Sequence, residues 1–102
     1  MPQFDVFRNP RGGTFPLLLD VQADLLCDLA TRVVVPLAPV KQWPTKRLTR
    51  LNPTARVRQV DYVMIFQELA AVPRPALGQA IGSLRTRRDD IVAALDLLFT
   101  GI

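Results

Sequence analysis

Histidine is absent from the 102 residues, and cysteine occurs once, as Cys27. Without imidazole there is no His-based triad, no His metal site and no imidazole proton shuttle. A single thiol leaves neither an internal disulfide nor a structural zinc site, which suits a reducing cytoplasm. No apolar run approaches the ~18 residues of a membrane span, and no signal-peptide pattern opens the chain. Aromatics are sparse at 7%, so no stacking platform for bases is interleaved with the basic residues except at Trp43. Catalysis would fall to Asp, Glu, Arg, Lys, Tyr, Thr or Cys27, and the composition leans toward binding, with no cofactor or metal implied. Cys27 lies between leucines and aspartates and lacks the cationic neighbours of a reactive thiolate, so it reads as a small inert side chain.

What is present is a core. Half the chain is hydrophobic (49%), too much for a disordered protein, and the length fits one domain over residues 1–102. The nine prolines are scattered, so they form no proline-rich linker. Charge is uneven: Lys41, Lys46, Arg47, Arg50, Arg56 and Arg58 fall in a stretch without any acid. Such a stretch reads as a phosphate-binding face or, more simply, as a solvated loop surface. Trp43, between Gln42 and Pro44, reads equally as a recognition anchor or as a staple over the body.

Periodicity divides the chain into a β-rich body over about 1–80 and a helix over about 84–99. Gln3–Phe7 alternates as a half-buried strand, and Gly12–Gly13 supply a turn. Phe15–Gln22 is a nearly continuous apolar strand. Thr31–Val40 is β-branched, and Pro36 predicts an edge position or a bend, because proline donates nothing to a ladder. Thr54–Val60 alternates with Arg56 and Arg58 on an exposed face. Asp61–Val72 is ambiguous: its first half forms strands, its second has helical propensity. Ser83 is the expected N-cap of the final helix, Asp89 and Asp90 answer its macrodipole, and Leu84, Ile91, Leu95, Leu98 and Ile102 form its apolar stripe. Gly101 fits the left-handed position beyond its end. Asp20 reads as a strand end and Asp24 as a turn former. This order predicts a mainly β fold with a C-terminal helix packed on a small barrel or twisted sheet.

Four segments resemble the CcdB toxins of bacterial toxin–antitoxin modules: "LLLDVQADLL" (17–26), "TRVVVPLAPV" (31–40), "LAAVPRPALG" (69–78) and the ending "DDIVAALDLLFTGI" (89–102). They follow in the family's order over essentially the whole chain. The resemblance implies an SH3-like barrel of the CcdB/MazF type and a homodimer. It implies a toxin that binds the DNA gyrase A subunit and traps the gyrase–DNA cleavage complex, without itself breaking or joining covalent bonds. It further implies a CcdA-like antitoxin that neutralises the toxin, with operator DNA reached only through that antitoxin.

The gyrase-binding residues the resemblance carries over are Leu25, Leu26, Asp96, Phe99, Thr100, Gly101 and Ile102. Thr100 stands where the F-plasmid toxin has a tryptophan, and Asp96 where it has an asparagine. The loops at 8–15 and 41–53 do not match, and nothing is carried onto them. Three alternatives stay open: a CcdB homologue that binds a target but no longer poisons gyrase, a MazF-like endoribonuclease in which Arg56, Arg58 and Asp61 would serve, and a plain β-rich adaptor that binds an acidic protein chain. No MazF-like motif lies near the N-terminus.

Overall fold

The computed structural model describes residues 2–43 and 47–102, so Lys46 of the basic stretch and the Pro44 beside Trp43 lie outside the described residues. Among the described residues, seven antiparallel strands make one curled, barrel-like sheet, followed by one helix. They are β1 (Asp5–Arg8), β2 (Leu17–Asp20), β3 (Thr31–Pro39), β4 (Thr54–Val57), β5 (Val60–Met64), β6 (Ala70–Pro73) and β7 (Ala80–Ser83). The helix α1 runs Arg88–Thr100. The sheet order is β4-β5-β3-β2-β1-β7, with β6 also paired to β3.

The long strand β3 organises the sheet. One side pairs with β2; on the other, its first half pairs with β6 and its second with β5. Pro36 therefore lies at the centre and not at an edge. Its carbonyl accepts the Ile65 N–H at 3.0 Å, in the gap where β3 changes partner from β6 to β5. The missing donor falls where no ladder bond is required, which is how proline is tolerated there.

Alternate residues of the strands line the core. Val6, Leu19 and Val35 stand side by side, as do Leu17, Leu37 and Met64, and α1 closes the layer with Ile91 and Ala94. The two ends of the curled sheet approach through side chains. Arg58 Nε donates to the Ile81 carbonyl at 3.2 Å, and Val57 Cγ1 lies 3.8 Å from where a Cβ on Gly82 would sit. Gly78 permits a tighter approach: a Cβ there would lie 2.7 Å from the Arg8 carbonyl oxygen.

Several boundaries differ from the sequence reading. The first strand begins at Asp5, because Phe4 turns into the left-handed region at φ 73° while its N–H bonds Asp20 O and its carbonyl accepts from Leu84. Those two bonds and burial of the ring hold a conformation that a bulky residue seldom adopts. They also hold Leu84 at the end of β7, so Ser83 is a strand residue paired with Asp5 and not the N-cap of α1. Arg85–Arg87 form a single 3-10 turn before α1 starts. The ambiguous 61–72 stretch resolves into β5, one 3-10 turn at Phe66–Glu68, and β6.

Candidate functional site

Two exposed apolar features stand out on this frame: a knuckle between β2 and β3, and the tail after α1. The knuckle rests on a buried ion pair. Arg32 directs Nε and Nη2 onto Asp20 Oδ2 at 2.9 and 2.6 Å, and both side chains are 0% exposed. Gln22 N–H donates to Asp20 Oδ1 at 2.9 Å. Burial holds the Asp20 carboxyl above its ordinary 3.8, against the downward pull of the Arg32 guanidinium and the Gln22 N–H. The Gln22 side chain then spans the gap: its Oε1 accepts the Val33 N–H, and its Nε2 donates to the Leu26 carbonyl. Asp24 accepts the Gln3 N–H at 2.6 Å. The 3-10 turn Asp24–Leu26 is thus pinned at both ends, at Asp24 by the Gln3 N–H and at Leu26 by the Gln22 side chain. It presents Leu25, 92% exposed, beside the half-exposed Leu26 and Leu29.

The tail is built differently. Helix α1 buries Ile91 and Ala94 and packs the partly buried Leu95 and Leu98 on the core. The far side of its last turn is left to solvent. Asp96 and Thr100 are exposed, Phe99 is 67% exposed, and Ile102, read both as the end of the apolar stripe and as a binding residue, is 79% exposed. Thr100 Oγ1 donates back to the Asp96 carbonyl at 2.6 Å. Gly101 takes φ 74°, and its N–H caps the Leu97 carbonyl, which turns the chain out of the helix. That turn, rather than a break in the apolar pattern, removes Ile102 from the stripe.

The structure therefore places all seven candidate residues on or at the rim of exposed surface. It keeps them in two groups: Leu25 and Leu26 on the knuckle; Asp96, Phe99, Thr100, Gly101 and Ile102 at the tail. Among the described residues no hydrogen bond or ion pair joins the two. The sequence reading missed Arg32 and Asn52. Both hide inside stretches that read as strand or loop, and only a buried partner elsewhere in the chain reveals their role. Asn52, 3% exposed, exchanges bonds with Leu48 and donates to the Met64 carbonyl and Gln67 Oε1, so the basic excursion is firmly seated. Beyond it Arg50 Nη2 donates to the Ile102 backbone oxygen at 2.5 Å.

The residues considered for RNA chemistry have other employment. Arg56 and Asp61 face each other across β4 and β5, 3.9 Å apart and well exposed, as a cross-strand surface pair. Arg58 braces β7. Trp43 rests against Phe15 with ring centroids 5.9 Å apart, which supports its reading as a staple. No helix of the described residues is long and apolar enough to cross a membrane.

The curled antiparallel sheet with one terminal helix agrees with the fold expected from the quoted motifs. The family description "CcdB protein" matches residues 3–101. Matched over almost its whole length, the chain belongs to the CcdB family, the toxins of toxin–antitoxin modules.

Proposed function

We propose that this protein poisons DNA gyrase by binding: a cytoplasmic homodimer engages the gyrase A subunit through its tails and stabilises the cleaved complex. A CcdA-like antitoxin neutralises it and carries any operator contact. The observation that carries this reading is the tail. A structured helix end delivers Phe99 and Ile102 to solvent, and two large apolar side chains exposed together at one tip support a binding role over a core role. Binding alone suffices for such a poison. The exposed Arg56–Asp61 pair, in turn, lacks the dry and positioned setting that RNA cleavage asks of an acid–base couple.

The test pairs growth arrest with gyrase-mediated DNA cleavage and thermal melts. Deletion of 100–102 is expected to abolish poisoning with little change in melting; Gly101→Glu should abolish it too, meeting no atom within 4 Å of its Cβ but adding about 1–2 kcal/mol of local strain at the left-handed φ of 74°. The contrasting control is Ile91→Ala in the core, expected to cost about 2–5 kcal/mol of stability. Tail variants that arrest growth as well as the parent, or that fail only by unfolding, refute the assignment. Sedimentation at micromolar concentration should show a species of twice 11.4 kDa; only the single-chain mass would remove the dimer.

A further inference from the structure

We infer that Arg50, from the basic excursion, is the positioning residue that aims the tail, an inference resting on the target-binding role proposed for that tail. Ile102 cannot hold itself. It follows a left-handed glycine with no atom within 4 Å of its Cβ position, and its own side chain is largely in solvent. Among the described residues the hydrogen bond that fixes it comes from Arg50 Nη2 to its backbone oxygen.

Arg50 is fit for this because its base is rigid. Leu51 packs against the core, and the buried Asn52 locks the Leu48–Asn52 turn to β5 through the Met64 carbonyl. The strand that follows the turn, β4, is tied to the start of α1, where Arg87 Nη1 donates to the Thr54 carbonyl at 2.5 Å. A second and independent observation concerns charge. The last turn of α1 contains no basic residue, although helix carboxyl ends favour a cation near their unsatisfied carbonyls. Arg50, bonded to the backbone oxygen two residues beyond the helix, brings a cation to this end of the fold from a distant part of the chain.

The consequence is preorganisation. With Arg50 in place, Ile102 meets its partner already oriented; without it, the residue swings about Gly101 and must be ordered on binding. Ordering one residue's backbone lowers affinity by about 5- to 30-fold.

The experiment compares the full-length protein with Arg50→Ala, Arg50→Lys and the 100–102 deletion. Backbone 15N relaxation reads the tail, a gyrase–plasmid cleavage titration reads function, and melts read stability. In Arg50→Ala the Ile102 order parameter is expected to fall below about 0.6. The cleavage midpoint should shift by about 5- to 30-fold, with the melting temperature nearly unchanged; Arg50→Lys should recover part of both. Raising salt from about 50 to 500 mM should loosen Ile102 in the parent but not in Arg50→Ala. An Ile102 equally ordered in Arg50→Ala overturns the inference. So does a loosened tail with an unshifted midpoint while the deletion abolishes cleavage. If the deletion itself still poisons gyrase, the proposed function fails; the aiming role of Arg50 then stands or falls on the order parameter alone.

Discussion

The knuckle and the tail both push large apolar side chains into water, yet they are held from opposite directions. The knuckle is held from beneath, by a buried ion pair and a glutamine that bridges β3 to Leu26. The tail is held from outside, by a helix end, a left-handed glycine and one exposed arginine. Buried polar groups are costly to disturb, because each lost partner leaves a desolvated group behind. Exposed ones exchange freely with water. Stability and presentation are therefore coupled at the knuckle and separable at the tail.

The largest effect should come from breaking the knuckle's foundation. Arg32→Met removes the cation and leaves the Asp20 carboxylate buried, which costs about 3–5 kcal/mol at neutral pH. The sign of the pH dependence follows from the carboxyl, already held above 3.8 by burial and raised further once Arg32 is gone. Between the unfolded and folded values the folded state binds more protons. Stability is thus fully present below about 3.8 and is lost as pH rises through the folded value. Melts of Arg32→Met across pH should show partial recovery in acid. A variant whose melting temperature did not improve on acidification would show that the Asp20 charge is not what Arg32 supports.

A smaller effect is expected one step up. Gln22→Leu orphans the Val33 N–H and the Leu26 carbonyl while sparing the ion pair, at a cost of about 1–3 kcal/mol. Amide exchange should quicken across 24–29 before it quickens in β1 or β7. Uniform acceleration through the whole sheet would mean that the knuckle is not separately anchored, and the contrast with the tail would lose its force.

This contrast also explains which features were legible in the sequence. The tail announces itself locally: a 3.6-residue apolar period, then glycine at the left-handed position, so Gly101 was foreseen in its conformation. β3 was legible from its β-branched run and the exposed Arg56 of β4 from its alternation, but the strand expected over 54–60 breaks after Val57, because Arg58 and Gln59 take positive φ and turn the chain into β5. The knuckle's support was not legible, because Arg32 sits on the strand like any solvent-facing arginine until Asp20, twelve residues away, is brought against it. Pro36 misled for a related reason, since what excuses it is a change of neighbour on the far side of β3. The short β7 and the delayed start of α1 depend on bonds from Phe4 and Asp5, at the opposite end of the chain. Local chemistry is readable from local residues; partners distant in sequence are not.

The smallest expected change in stability lies at Thr100, and it sharpens the comparison most. The side chain is exposed, and its hydroxyl returns to the Asp96 carbonyl, a back-bond that contributes little to a helix and often bends it. Thr100→Trp removes that bond but leaves residue type nearly neutral for helix formation. Its stability should stay within about 0.5 kcal/mol, or about 2–4 °C in melting temperature. Function is expected to move much more. An indole at this rim offers a face to a cationic partner, a contact of about 0.5–2 kcal/mol, so gyrase poisoning should strengthen by about 2- to 30-fold. The check is the same plasmid cleavage titration, run beside Thr100→Val, which also removes the hydroxyl but adds no aromatic face. A gain shared by both variants would credit the lost back-bond. A gain confined to tryptophan, with unchanged melting, would show that binding strength at the tail is tuned independently of the fold. No gain in either would mean that the gyrase-facing surface does not include position 100.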